Sequence, residues 1–512
     1  MRQGTGADGR DDPPSAGAGG ARCPVSLPLH GSTGADTPWE ALRDRHGGLV
    51  PVEVGPGVPG WLLLGYRENL QALRDQTLFS ADPRPWGAEG AGPARSAALA
   101  RDGEEHRRLR AAVVDTLAEV GTPRLVPVVE RAAVHLLGRV AADGAADLIG
   151  GFAAPLPALV LNELFGLPDA YGRLLADLAP SLWSGEPDRA GPAATAVRSY
   201  FAGLVARKRA DPGQDMASWL LAHPSGLTDD EAAGALTLLW ESGHEPTTHL
   251  IGNALLRLLE DPGVWTAYLG GTLTPEDFVD YVMWTDSPIR MLAGRYPVAD
   301  LRFSGVRVRR GEPLLLGFAS AHTDPSVARG DDAMALAGDR SHLAWGAGAH
   351  RCPATGLTRE LARTAIDTAV DRLRGMVLAV EPEDLRWRAS LAVHGLEELP
   401  VWFTATGERV GSDEPVRERA PTPVLRRLRR KRGPAPRGAR YEAPLAGEDG
   451  ARAQEERTVP APDPRSVPAS APRPRRVPRG AGARYQAPFA RERAEPEPDA
   501  LERLLAAWRP RD

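Results

Sequence analysis

The sequence predicts a mainly α-helical body with a minor β region, followed by a C-terminal tail that remains disordered. Three observations carry this. Apolar residues recur at helical spacing over most of the stretch between about 30 and 407. Strand character is confined to a few short runs. Composition shifts sharply near residue 408: residues 408–512 hold 24 Arg and Lys against 16 Asp and Glu, are dense in proline and contain few large apolar side chains. Such a segment buries too little surface to offset its chain entropy.

Residues 1–22 are rich in Gly, Ala and Asp without an apolar core, so they do not form a signal peptide and read as disordered. Trp61 to Leu64 reads as a strand, Glu68 to Asp75 as a short helix, and Phe79-Ser80-Ala81-Asp82-Pro83 as a turn. Helical periodicity marks 104–118, 124–142, 154–165, 194–210, 228–260 and 275–284. Asp229 and Asp230 open the long central helix as its N-terminal cap region. Short strands fit 300–308 and 313–317. Near the C-terminus, Asp499 to Trp508 fits an amphipathic helix with Leu501, Leu504, Leu505 and Trp508 on one side.

Composition removes several function classes. Only Cys23 and Cys352 occur among 512 residues, far apart in sequence, which argues against a disulfide framework and for a reducing, cytoplasmic setting. No run reaches the roughly 18–20 apolar residues of a membrane span. No phosphate loop or dinucleotide fingerprint is present. His244 and His249 lie five apart, a poor spacing for a metal, and read as incidental or substrate-facing. Outside the basic tail the body is acidic, with 38 Arg and Lys against 51 Asp and Glu. The basic run Arg426 to Arg432 lacks aromatic platforms and reads as a solvated docking segment, with no nucleic acid expected. The tail repeats a motif: Arg437-Gly438-Ala439-Arg440-Tyr441-Glu442-Ala443-Pro444-Leu445-Ala446 returns as Ala481-Gly482-Ala483-Arg484-Tyr485-Gln486-Ala487-Pro488-Phe489-Ala490. Two copies suit a short linear motif that docks twice on a protein partner, or a duplicated linker.

The most informative stretch is Trp345-Gly346-Ala347-Gly348-Ala349-His350-Arg351-Cys352-Pro353-Ala354, with Leu357, Leu361 and Ile366 on a helix behind it. Glycines let the backbone approach a macrocycle and turn amide N–H groups toward the sulfur, which keeps it ionised. The stretch closely resembles the haem-ligating loop of the cytochrome P450 family, with Trp345 for the usual Phe and Ala354 for the usual Gly. The resemblance spans roughly 23–407 and implies a haem-thiolate domain with the cytochrome P450 fold there.

The resemblance implies specific roles. Cys352 would be the axial ligand of haem b (iron protoporphyrin IX), its thiolate pushing electron density onto iron and favouring O–O cleavage. His350 matches a position that contacts a haem propionate. His106 and Arg110 stand four apart, on one helix face, and resemble the family's His-x-x-x-Arg propionate pair. Arg295, seven residues beyond Pro288, matches a third propionate ligand, for which arginine offers a forked donor set.

Two departures accompany this. The stretch Leu238 to Thr248 resembles the family's distal segment, whose acid and threonine relay protons during dioxygen activation. The acid is present as Glu245, but Pro246 replaces the alcohol. Thr247 is the nearest substitute, rotated roughly 100° around the helix. Pro246 also leaves the Ser242 carbonyl without its helical donor, which predicts a kink. The family's Glu-x-x-Arg positions fall on Tyr281 and Trp284, counted back from Asp286-Ser287-Pro288, with Asp280 the only nearby acid. Replacing a buried ion pair wholesale by packed groups is tolerable, whereas losing one partner is not.

The implied activity is monooxygenation of a small apolar organic substrate, bound near 80–100 and 170–205. Dioxygen and electrons from a ferredoxin-like donor would drive it, the donor docking on Arg107, Arg108, Arg351 and Arg363. The alternatives are a catalytically degenerate haem protein acting as sensor or scaffold in a signalling complex, and a peroxide-driven oxygenase.

Overall fold

A computed structural model describes residues 38–55, 58–87, 98–182, 187–330, 332–388, 390, 392–406 and 499–507. In chain order, α1 (Trp39–His46), β1 (Leu49–Gly55), β2 (Val58–Leu63), α2 (Tyr66–Arg74) and β3 (Phe79–Ser80) precede the helical body. That body comprises α3 (Gly103–Gly138), β4 (Ala145–Asp147), α4 (Pro155–Leu164), α5 (Asp169–Leu182), α6 (Pro187–Ala210), α7 (Met216–Ala222), α8 (Asp229–Glu260), α9 (Pro262–Leu269) and α10 (Pro275–Thr285). Then follow β5 (Met291–Pro297), β6 (Leu301–Phe303), β7 (Val306–Val308), β8 (Leu314–Gly317), α11 (Phe318–His322), α12 (Ala333–Leu336), α13 (Thr355–Arg372), β9 (Val377–Leu378), β10 (Pro400–Trp402) and α14 (Ala500–Ala507). The fold is mainly α with a minor β region, as the periodicity predicts.

The larger sheet runs β1-β2-β8-β5-β3, with β2 and β8 parallel and the other pairs antiparallel. Trp61 and Leu63 of β2 enter one apolar cluster and Leu62 and Leu64 another, as the two-residue period of a strand requires. The stretch 300–308, expected as one strand, is a hairpin of β6 and β7. Ser304 and Gly305 both take positive φ, 47° and 80°, and reverse the chain. The predicted 104–118 helix and residues 124–138 of the predicted 124–142 helix lie in α3, bent where Gly121 takes φ 55° and ψ 164°; the helix stops at Gly138, four residues short of the expected end.

The central helix α8 differs from expectation in two ways. Its cap is Thr228 rather than the Asp pair: Thr228 Oγ1 accepts from the Glu231 amide at 3.2 Å, and Glu231 Oε2 accepts from the Thr228 amide at 2.9 Å. The helix also runs unbroken from Asp229 to Glu260 through Pro246. Proline deletes only one donor, and α8 is embedded against α4, α6, α10 and α13, so packing holds the helical path.

Part of the segment expected to be disordered is folded onto the body. Leu501 of α14 is fully buried, and Leu504 and Leu505 pack against the main core, where α14 contacts α6 and α5. Leucines at i, i+3 and i+4 supply the apolar stripe that this needs. Residues 1–37, including Cys23 and the N-terminus read as disordered, lie outside the described residues. So do 407–498, which hold the duplicated motif and the basic run, and Trp508. Among the described residues no helix is long and apolar enough to cross a membrane.

Candidate functional site

Cys352 sits in the turn before α13. Gly346 and Gly348 take φ of 67° and 68°, and a Cβ at Gly348 would stand 2.5 Å from the Leu73 carbonyl oxygen of α2. Only glycine gives both the left-handed backbone and that close approach. The Cys352 amide donates to Trp345 O at 2.8 Å, and Thr355 Oγ1 donates to Cys352 O at 3.0 Å, closing the loop on itself. Burial raises the thiol pKa, opposed by the Ala354 amide, the Thr355 hydroxyl and the charges of Arg110 and Arg351. Burial wins.

Two arginines and two histidines meet beside this loop. His106 and Arg110 come from α3, Arg295 from β5 and His350 from the loop. The His106 and His350 rings lie 4.1 Å apart, and the Arg110 guanidinium donates to Arg351 O. Arg295 is buried and donates to Gly294 O at 2.8 Å. Asp102 is the acid among them: Oδ1 accepts from His350 Nε2 at 3.2 Å, and Oδ2 accepts from Ser80 Oγ at 2.6 Å and the Ala81 amide at 2.8 Å. Burial works to raise the Asp102 pKa, but these bonds hold it well below the usual carboxylate range. Burial, reinforced by His350 and Arg110, pushes His106 down to about 4, and burial lowers Arg295 to about 10. His106 Nε2 is buried with no protein partner. Arg110 and Arg295 outweigh the single acid Asp102, and the cluster carries an orphaned polar atom, which suits a ligand bearing carboxylates. Asp102 escaped the sequence reading, although it lies one helical turn before His106.

On α8, Glu245 is 2 % exposed, and its Oε1 accepts from His249 Nε2 at 3.2 Å and from Arg388 Nη1 at 2.5 Å. Burial works to raise its pKa, but the His249 hydrogen bond and the His249 and Arg388 charges bring it down to about 2. His244 donates from Nε2 to Ala154 O at 3.0 Å and stacks on Trp240 at 5.6 Å. His244 and His249 are therefore not incidental; both are buried around the acid. Gly395 lets its loop press on His249, since a Cβ there would stand 1.8 Å from Nδ1. Thr247 is buried, while Thr248 turns its hydroxyl back onto His244 O at 3.1 Å.

Tyr281 and Trp284 are buried in the core, and Trp284 Nε1 donates to Asp339 O at 2.9 Å. Charge is nevertheless retained one position earlier. The Asp280 carboxylate, fully shielded, accepts from His342 Nε2 at 3.1 Å, from Arg340 Nε at 3.1 Å and from Arg359 Nη2. Burial opposes ionisation there, but His342 and Arg359 outweigh it and hold Asp280 below the ordinary carboxylate value. The Arg359 guanidinium also lies 5.8 Å from the Trp345 ring centre. Asp280 thus ties α10 to the approach to the Cys352 loop and to α13.

Of the expected basic patch, Arg107 and Arg351 are exposed. Arg108 is bound to Glu231, and Arg363 to Glu360 and, at 3.0 Å, to Asp367. Those two contribute little free charge.

No family model matches the chain. Over 387 residues it is 31 % identical to cytochrome P450 107B1 of Saccharopolyspora erythraea, covering 70 % of this chain and 95 % of that protein. The chain belongs to the cytochrome P450 family. The biotin biosynthesis cytochrome P450 of Bacillus subtilis is 30 % identical, covering 71 % of this chain and 95 % of that one. The crystal structure of CYP154A1 from Streptomyces coelicolor A3(2) superposes with a TM-score of 0.67 at 28 % identity, covering 73 % of this chain and 99 % of that one. This P450 is a haem-dependent monooxygenase that draws electrons from a redox partner to oxidise an organic substrate. The sensor or scaffold reading finds no support in these relatives.

Proposed function

We propose that Cys352 is the axial ligand of haem b in this P450, and that His106, Arg110, Arg295 and His350 hold the propionates. Glu245 and Thr247 serve proton delivery. The observation that carries this is the convergence of Arg110, Arg295, His106 and His350 beside the Cys352 loop, with His106 Nε2 buried and unpartnered. When bound, the haem supplies the dioxygen-activating chemistry, with the thiolate donating electron density to its iron.

The chain's own residues divide the remaining work. The Gly346–Gly348 turn sets the Cys352 loop close against the α2 backbone at Leu73. Glu245, at a pKa of about 2, carries no proton at neutral pH, so it supplies none of its own; fixed by His249 and Arg388, its carboxylate orients the proton donors of the site. Helices α5 and α6, with residues 80–87, cover a small apolar substrate. The donor is an acidic ferredoxin-type protein that docks on Arg107 and Arg351, on the Cys352 side.

The test is the absorption spectrum of haem-reconstituted protein, reduced under carbon monoxide. Wild type is expected to show the red-shifted band of a thiolate-ligated haem, and Cys352→Ser to lose it. An unchanged spectrum in Cys352→Ser rejects the assignment. Product formation with a reductase chain, compared with peroxide alone, separates electron-driven turnover from a peroxide-driven oxygenase, which the absent hydroxyl at Pro246 favours.

A further inference from the structure

The face of α5 and α6 centred on Arg207 is covered by the chain's own C-terminal helix. Arg207 donates from Nε to Asp499 Oδ2 at 2.7 Å, and its Nη2 lies 2.6 Å from the same oxygen and 3.7 Å from Glu502 Oε1. Asp499 also starts α14: its Oδ1 accepts from the Glu502 amide, and Glu502 Oε2 accepts from the Asp499 amide, both at 2.9 Å. Capping and docking therefore share one carboxylate. Leu501 is fully buried beneath this pair. A helix of eight residues is marginal in water by itself, so α14 depends on the surface that receives it.

The dock connects to the acid site through contiguous rings. Arg207 donates from Nη2 to the Tyr171 hydroxyl at 3.2 Å and lies 5.2 Å from the Tyr171 ring centre. Tyr171 meets Tyr200 at 6.5 Å, Tyr200 meets Phe201 at 5.1 Å, Phe201 meets Trp240 at 6.3 Å, and Trp240 stacks on His244 at 5.6 Å. Glu245 follows His244 on α8. Tyr171, Tyr200, Phe201, Trp240 and His244 are all buried.

We propose that this face is a helix-docking surface whose occupant is α14 of the same chain. Docked α14 restrains α5 and α6 as a strap and so limits how fast ligands enter and leave beneath them. The strap's effect on ligands rests on the reading of 170–205 as the substrate-covering region. The surface selects an amphipathic helix with acidic residues in its first turn and leucines at i, i+3 and i+4.

The test compares full-length, haem-loaded wild type with Leu501→Asp and with the double variant Asp499→Asn/Glu502→Gln. The double variant weakens the same dock without placing a charge in the core. Amide hydrogen exchange reads the dock, and the association and dissociation rates of 4-phenylimidazole, followed by haem absorbance, read access. The expected result is exchange at least about tenfold faster in α5 and α6 with α10 and α13 unchanged, and severalfold faster 4-phenylimidazole rates. Unchanged exchange in α5 and α6 in both variants overturns the docking surface. Faster exchange with unchanged 4-phenylimidazole rates upholds the dock and overturns the placement of ligand beneath α5 and α6.

Discussion

His342 donates from Nε2 to Asp280 across 3.1 Å, with both side chains fully shielded from water. This pair, with Arg359 and Arg340, places a buried negative charge on α10 one residue before Tyr281. Charge is thus present one position before the aromatic residues. The aromatic side chains at 281 and 284 fill volume, while Asp280 keeps the electrostatic tie to the segment that leads into the Cys352 loop.

Asp280→Asn leaves His342 and Arg359 without their acid. Breaking one partner of a buried ion network costs about 3–5 kcal/mol, or on the order of 10 °C in Tm for a body of this size. Differential scanning calorimetry checks it, together with the amount of haem retained on purification. The same pair gives a pH signature. The folded pKa of Asp280 is depressed, so its contribution is fully present above an ordinary carboxylate pKa of about 3.9 and is lost as pH falls through the lower folded value.

Gly348→Ala places a Cβ 2.5 Å from the Leu73 carbonyl oxygen, on a backbone with φ of 68°. Backbone cannot yield as a flexible side chain does, so the loop must shift. The expected cost is about 1–3 kcal/mol, with weaker haem retention measured by a haem-transfer assay to apomyoglobin. A variant that retains haem as wild type does removes close approach as the reason for this glycine.

Two buried histidines predict acid sensitivity well above the carboxylate range. Burial, with His342 adding to it, lowers His322 to about 3; burial, aided by Arg290 and resisted by Asp286, lowers His394 to about 4. Both are neutral in the folded chain and titrate near 6.5 when unfolded. Their contribution is complete above pH 6.5 and falls steadily as pH drops toward 4, because the unfolded state binds the protons. Urea unfolding at pH 7.5, 6.0 and 5.0 measures this slope. His322→Gln flattens it.

Glu245→Gln removes the negative charge that His249 and Arg388 share. The expected outcome is a loss of about 10²-fold in electron-driven product formation, with electrons diverted to peroxide and little change in turnover driven by added peroxide. Stoichiometry of product against reductant consumed reads the change. Undiminished coupling excludes Glu245 from proton delivery. Thr247→Ala, assayed in the same way, decides whether the neighbouring hydroxyl shares the task.

Local chemistry is legible along the chain wherever spacing itself carries the meaning. The glycines around Cys352, the four-residue step from His106 to Arg110 and the leucine stripe of α14 each lie within two helical turns. What escaped notice are pairings across long separations: Asp102 with His350, Asp280 with His342 and Arg359, Glu245 with Arg388, and Arg207 with Asp499. None has a local signature, because an acid in a helix is chemically the same whether it faces water or a distant arginine. The incidental reading of His244 and His249 fails for that reason. A poor metal spacing says nothing of a carboxylate packed between them.

The amino-acid order alone determined the mainly helical architecture, the lone thiol in its left-handed turn and the absence of an alcohol after Glu245, since each depends on residue type and periodicity. Tertiary structure decided which charges are shared. Burial strengthens every ion pair it encloses and penalises every one it leaves single, so only the folded chain shows that Asp280 is held by His342, that Pro246 leaves α8 unbroken and that the last helix returns to cover Arg207.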